Sequence, residues 1–388
     1  MRRLLCASVF AVSVVGMQPP RDQPPRPAPA PAKGGPLADS NFFPVAVWVQ
    51  NPTRAPEYKE IGINLYVGLW RGPTEDHLAE LKKHGMHVIC AQNVVGRRHK
   101  DDPTIVAWMH GDEPDNAQSL GRGKGYGPPI APAKVVEDYR RLKAADPSRP
   151  VLLNLGQGVA WDRWIGRGVR TNHPEDYPEY VKGCDIASFD IYPACHEHPD
   201  VAGKLWFVAD GVRRLRTWAG ERPVWNCIEC THVNNPMTKA TPQQVKAEVW
   251  MSLVRGSRGL IYFCHQFQPR FSEAGLLADA EMAAQIKAVN RQIHELAPVL
   301  NSTPVPDGVA VESAVPVEAM VKRRDGATYV FAVNMRGEAT AAAFKVGGLT
   351  GRAEAQVLGE ERRVDVTDGV FRDAFRPWDV HLYVILRN

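Results

Sequence analysis

Residues 107–116 read AWMHGDEPDN and set Asp112, Glu113 and Asp115 just beyond an apolar run, IVAWM. Residues 223–232 read PVWNCIECTH and set Glu229 near the end of a second such run. A charge between Ile228 and Cys230 in an apolar run is costly unless it has a task. Two carboxyls brought into one pocket can divide the work of proton transfer. One serves as acid and the other as base or nucleophile, provided their surroundings hold their pKa values apart. Asp190, in FDIYP, is a further carboxylate at the end of an apolar run. Asp115 reads as a turn or cap residue.

Eight short apolar runs supply the framework, at 42–50, 64–70, 87–93, 104–114, 150–158, 185–193, 223–232 and 259–267. Their length and β-type composition predict buried strands. Helical patterns at 75–84, 132–145, 201–218, 242–255 and 280–296 separate most of them. Strands alternating with helices predict a parallel sheet covered on both faces, and eight such strands close a (β/α)8 TIM barrel. The third unit is irregular, because 94–103 is too short and polar for a good helix. Long loops follow the fourth strand (116–130) and the fifth (161–180), at the C-terminal face where barrel enzymes keep their sites. Beyond about residue 300, short alternating runs with Asp-Gly and Gly-Gly turns predict a small antiparallel β-sandwich. The expected organisation is a signal peptide over 1–17, a Pro/Ala-rich linker over 18–40, a catalytic barrel over 41–302 and a β-sandwich over 303–388.

The chain has 388 residues and a formal net charge of +4. No basic block is long enough to suggest a nucleic-acid partner. The start, MRR followed by LLCASVFAVSVVG, has the charged and apolar regions of a secretory signal and is too short for a membrane span. Export is therefore expected, periplasmic or extracellular, with no membrane span in the mature chain. Cys227 and Cys230 form C-x-x-C inside a strand pattern with no second such pair, which is not a zinc or redox arrangement. Export permits disulfides among the cysteines, and spacing assigns none.

Polar and aromatic residues gather at the strand ends that share the barrel's C-terminal mouth. No dinucleotide fingerprint, Walker loop or H-E-x-x-H is present, so no cofactor is expected. His110 with Asp112 has metal-ligand chemistry, but the histidines are scattered singly, and no metal is expected. Flat aromatic faces suit sugar rings, and amide, imidazole and guanidinium groups suit hydroxyls. The expected substrate contacts are Trp48, Trp70, Arg71, Asn93, Asp112, Trp161, Asp190, Tyr192 and His265. Retaining glycoside hydrolysis needs two carboxyls about 5–5.5 Å apart, and strands four and seven face each other across such a mouth.

The two motifs together resemble the clan A retaining glycoside hydrolases, a (β/α)8 superfamily. That clan has Asn-Glu-Pro at strand four, bearing the acid/base, and a nucleophilic Glu ending strand seven. Asp112-Glu113-Pro114 stands at the first place, and the run from Pro223 to Glu229 at the second. The resemblance implies Glu113 as acid/base, Glu229 as nucleophile and Tyr192 as a tyrosine near the nucleophile. It also implies a C-terminal β domain, as in β-galactosidase- and β-xylosidase-like members. The expected activity is hydrolysis of an oligo- or polysaccharide. Asp112 departs from the clan's Asn, and an ionised Asp can only accept hydrogen bonds. The Asp-Glu pair also resembles substrate-assisted hexosaminidases, in which the Asp orients a nucleophilic 2-acetamido group and the Glu is the acid. Glu229 would then only line the pocket. A carbohydrate-binding barrel without turnover is the third alternative.

Overall fold

The structure is a computed structural model that describes residues 35–386. The expected signal peptide, and the linker up to residue 34, lie outside the described residues. The rest of that segment includes a single short turn, Pro36–Ala38.

Eight parallel strands close a barrel in sequence order: β1 (Val45–Trp48), β2 (Leu65–Val67), β3 (His87–Cys90), β4 (Ile105–Met109), β5 (Val151–Leu155), β6 (Ile186–Phe189), β7 (Val224–Glu229) and β8 (Leu260–Phe263). Each is a run of apolar residues because each is covered on both sides. Alternate residues split between two cores. Ala46, Leu65, Ile89, Leu152, Trp225, Cys227 and Ile261 fill the barrel interior. Val47, Tyr66, Val88, Leu153, Ile228 and Tyr262 pack outward against the helices. This is the two-residue period of a strand made visible in three dimensions.

The helices are α1 (Ala55–Glu60), α2 (Glu75–Lys83), α3 (Val94–Arg98), α4 (Pro132–Ala145), α5 (Tyr177–Tyr180), α6 (Trp206–Ala219), α7 (Pro242–Val254), α8 (Ala280–Glu295) and α9 (Ala297–Leu300). The five expected helices are present within a few residues of the patterns that predict them. The irregular third unit holds only the short α3. The α1 helix, absent from the sequence expectation, is a single polar turn and a half with two buried residues, Ala55 and Tyr58. Starts are chemically marked. Thr241 and Gln244 form a reciprocal capping box on α7, and the Asp279 side chain accepts the Met282 N–H on α8.

The C-terminal domain is antiparallel: β9 (Val309–Ser313), β10 (Val317–Arg324), β11 (Ala327–Asn334), β12 (Thr340–Val346), β13 (Arg352–Val357), β14 (Arg362–Thr367), β15 (Val370–Phe375) and β16 (Val380–Leu386). The expected sandwich is one continuous sheet in the order β10-β11-β16-β13-β14-β15-β12-β9, with its end strands β9 and β10 brought together. It wraps its own core around Val330, Phe344, Phe371 and Tyr383. The opposite face of β11 and β16 docks on α7. There Trp250 meets Phe331 with ring centroids 5.3 Å apart, both fully buried.

That contact joins the two cores. Phe331→Ala is expected to cost about 3–5 kcal/mol and to leave one cooperative melting transition for barrel and β domain. An early, separate melting of the β domain with an unchanged barrel transition would show that the two fold independently.

Candidate active site

The C-terminal ends of the strands carry backbone strain. Val49, Arg71, Glu113 and Val233 have φ of 46°, 53°, 41° and 48°, and each lies within four residues of the end of β1, β2, β4 or β7. Each such conformation costs about 1–3 kcal/mol, and surrounding structure must hold it. Strain confined to one rim of a barrel marks the face where side chains are aimed rather than merely packed.

At β4 the aiming is explicit. The Glu113 N–H donates to the Asn154 carbonyl at 3.2 Å. Asp115, fully buried, anchors the turn beneath it. Its Oδ1 accepts the Gly156 N–H at 2.9 Å and its Oδ2 accepts the Tyr177 hydroxyl at 3.0 Å. Arg167 donates to the Asp115 carbonyl at 3.3 Å and pairs with Asp176. The residue that the sequence offered as a turn former is thus the buried post of the site. Gly156 is required for space. A Cβ there would stand 2.9 Å from Glu113 Oε1 and 2.7 Å from Asn116 Nδ2.

Three carboxyls meet above this post. Asp112 Oδ1 accepts from Asn154 Nδ2 at 3.0 Å, and Asn154 Oδ1 accepts from the Ser188 hydroxyl at 2.7 Å, a relay across β4, β5 and β6. Asp190 Oδ2 accepts from the Tyr192 hydroxyl at 3.1 Å. Asp190 Oδ1 has no conventional hydrogen-bond partner, and the group beside it is the Glu113 carboxyl. Burial, then the Asp190 and Asp112 charges, raise Glu113 well above the usual carboxylate range. Burial, then Asp112, push Asp190 up to about 7. Burial, then the Asp115 charge, push Asp112 up to about 6, against the Asn154 donor, although the residue keeps solvent contact. Glu113 therefore holds the proton longest, with Asp190 as its neighbouring acceptor.

Glu229 is in a different state. It shares the inward parity of Trp225 and Cys227, and it is fully buried. Its Oε1 accepts the Ala194 N–H at 2.6 Å and its Oε2 accepts the Cys195 N–H at 2.9 Å. Both donors belong to the loop that carries Asp190 and Tyr192. Its neighbour is Glu248 of α7, also fully buried and without a conventional hydrogen-bond partner. Burial and the Glu229 charge raise Glu248 well above the usual range, so it is held neutral. Glu248 was missed by sequence reasoning. Its signal is a lone acid in the apolar stretch AEVWMSLV.

The other expected contacts divide. Tyr192 lies at the carboxyl cluster and begins a run of touching rings. Centroids step from Tyr192 to Phe263 (5.0 Å), His265 (5.4 Å), Phe267 (5.9 Å) and Phe271 (5.8 Å). Phe267 and Phe271 stand on a small loop closed by paired hydrogen bonds between Gln266 and Ser272. Phe271 is 63% exposed. Trp48 fills the top of the barrel interior. Trp70 is exposed at the end of β2, with the Arg71 guanidinium 5.8 Å from its ring centroid. Asn93 is occupied as the cap of α3, accepting the Gly96 N–H and donating to the Pro73 carbonyl. Trp161 packs in a separate aromatic group with Trp164, His196 and His198. Neither the Asn93 nor the Trp161 side chain hydrogen-bonds to the three carboxyls, and Trp164 of the Trp161 group donates to Asn116 Oδ1 at 3.0 Å beside the β4 turn. Among the described residues, no group of three or more His, Cys, Asp or Glu is arranged to hold a metal ion.

No family model matches the chain, and no curated protein matches it. Solved structures match its fold. AmyP in complex with maltose is 9% identical, with a TM-score of 0.55 over 90% of this chain and 97% of that one. The noncanonic maltogenic α-amylase AmyB from Thermotoga neapolitana is 9% identical, with 0.51 over 90% and 99%. The β-galactosidase from the psychrophilic Marinomonas ef1 is 13% identical, with 0.50 over 68% and 62%. At these identities the likeness is one of fold. The chain is a barrel of the kind found in glycoside hydrolases, with paired acidic residues at its mouth.

Two stability measurements probe this geometry. Gly156→Ala is expected to cost about 1–3 kcal/mol by crowding Glu113 and Asn116. For Asp190, the folded protein keeps a proton that the unfolded chain releases from about pH 4 upward. Its stabilising contribution is complete below that pH and is lost as pH rises through about 7. Asp190→Asn should therefore raise Tm relative to the parent at pH 8 and leave the difference near zero at pH 4. Equal effects at both pH values would remove the like-charge reading.

Proposed function

We propose that the chain hydrolyses glycosidic bonds, with Glu113 as the general acid. The observation that carries this is the Glu113 carboxyl set beside Asp112 and Asp190 at the mouth of the barrel, where burial and their charges raise its pKa. A carboxyl that stays protonated near neutral pH can donate to a leaving glycosidic oxygen, and the ionised neighbours stabilise positive charge developing at the anomeric carbon. The ring run from Tyr192 to Phe271 supplies an apolar wall for sugar faces. Trp70, Arg71 and His265 are assigned to the same mouth.

For the second half of the reaction, we assign the substrate-assisted route. Direct attack by Glu229 requires a carboxylate free to reach the anomeric carbon, and both its oxygens are engaged by backbone donors in a fully buried place. Its role in this reading is to position the loop bearing Asp190 and Tyr192. One oxygen of Asp112 is satisfied by Asn154 and the other is left to accept. Its acceptor-only character suits the N–H of a 2-acetamido group, whose carbonyl oxygen would then attack the anomeric carbon. Glu113, deprotonated by its first step, then takes a proton from the water that opens the cyclic intermediate. The inward strand parity of Glu229 favours the direct route as the second reading.

The two routes separate chemically. Glu113→Gln is expected to lower kcat on a glycoside with a poor leaving group by about 10²–10⁴-fold. A 1,2-fused thiazoline sugar should inhibit, and a 2-deoxy-2-fluoro glycosyl fluoride should leave no adduct. A fluorosugar adduct on the peptide carrying Glu229 would reinstate direct attack. A broad glycoside panel with binding and no turnover would leave a carbohydrate-binding barrel. Activity should climb as Asp112 and Asp190 ionise through about pH 6 to 7, then fall at higher pH when Glu113 loses its proton.

A further inference from the structure

The strand starts form the opposite face of the barrel, and the β domain packs against it. Between the two lies a cavity of about 980 Å³. Arg216, Arg222, Arg258 and Lys322 all line it. Three come from the barrel, on α6, before β7 and before β8, and the fourth from β10. Lys322 is only 3% exposed.

The hydrogen bonds of these four groups all go to backbone carbonyls. Arg216 donates to Arg255 (3.0 Å), Arg222 to Cys184 (2.9 Å) and Ala219 (3.3 Å), Arg258 to Asn301 (3.3 Å), and Lys322 to Leu300 (2.9 Å) and Ser302. None forms an ion pair with a carboxylate among the described residues. The one well-buried acid on the cavity wall, Asp185, is already paired with Lys143. Several of the accepting carbonyls end α6, α7 and α9, and a helix end carries about half a negative charge. Three such ends explain why cations collect here; the exposed acids Glu221 and Asp307 also line the cavity without pairing with them, and the wall keeps an excess of positive charge. Burial, then the Arg216 charge, lowers the pKa of Arg258, and burial together with both arginines lowers Lys322 to about 8. Most of the guanidinium N–H donors remain unused.

We infer that this cavity binds a tetrahedral oxyanion of the phosphate or sulfate class, free or as the ester group of a small molecule. Arginine's planar fork matches such an anion, and the volume lies within the range of small-molecule sites. Phe42, Leu300 and Met320 on the wall give an ester's organic body an apolar surface. Because both domains contribute cations, the ligand would bridge them. This site is independent of the carboxyl cluster and of the activity proposed for it.

The test is calorimetry on the full chain with inorganic phosphate and with phenyl phosphate, at ionic strength held constant with chloride. The expected result is one saturable site per chain, weakened at least tenfold in Arg216→Gln and in Arg258→Gln. Tighter binding of phenyl phosphate identifies an ester ligand, and equal binding a free anion. The unliganded variants should keep or raise the parent Tm, because each relieves repulsion. A purely structural role for these cations would lower it. The inference is overturned by the absence of saturable binding of either probe, or by binding that is unchanged in both variants. Should Arg258→Gln fail to fold, Arg216→Gln and Arg222→Gln carry the comparison.

Discussion

Like charges enclosed together cannot all ionise. Asp112 and Glu113 beyond β4 and Asp190 beyond β6 are held in one place, and the site's chemistry follows from that enforced proximity. The proton they must retain rests on Glu113. The rest of the upper barrel keeps the three from moving apart. Asp115 is buried to tie the β4 turn to Gly156 and Tyr177. Asn154 and Ser188 connect Asp112 to the next two strands. Tyr192 orients Asp190. Released from these ties, the carboxyls would separate, each would return toward its ordinary pKa, and none of the three would hold a proton at neutral pH.

Behind this cluster lies a second acid pair with the opposite purpose. Glu229 and Glu248 are fully buried and burial raises both, Glu248 well above the usual range and Glu229 against the two backbone N–H groups that hold it. A buried charge is tolerated when donors replace its lost water. The Ala194 and Cys195 amides are such donors, and accepting from them clamps the β6 loop against β7. Strained backbone at Val49, Arg71, Glu113 and Val233 completes the same face. The opposite face holds an excess of positive charge. The molecule therefore separates charge along the barrel axis, acids at one mouth and bases where the β domain docks.

Much of this was legible in the residue pattern. The eight strands, the five longer helices and the change to antiparallel pairing after residue 300 follow from burial on two faces or one, which leaves a period of two or of 3.6 in the chain. The short α1 and α3 were not legible in that way, since a turn or two of polar helix has too few buried positions to show a period. The curled single sheet of the β domain was also hidden, because sandwich and curled sheet share one alternation. At the site, Glu113 and Asp190 were readable as acids after apolar strands. The residue pattern offers Asp115 as a turn former and Asn93 and Trp161 as sugar contacts; in the fold Asp115 is a buried anchor, Asn93 caps α3 and Trp161 packs with Trp164, His196 and His198. Each is a local residue type whose role depends on a distant partner.

The sequence by itself determined which carboxylates would stand at the barrel's mouth, because strand ends are set by local apolar runs and by the Gly and Pro that stop them. Only the tertiary structure decided which of those carboxylates faces another. Glu229 is the last residue of β7 and Glu113 lies four residues past the end of β4. Glu113 meets Asp190 and Asp112, whose charges add to burial in raising its pKa, and Glu229 meets two backbone amides, which oppose the rise that burial imposes. The difference lies in neighbours at least 34 residues away along the chain for Glu229, and electrostatic environment is a property of distance in space.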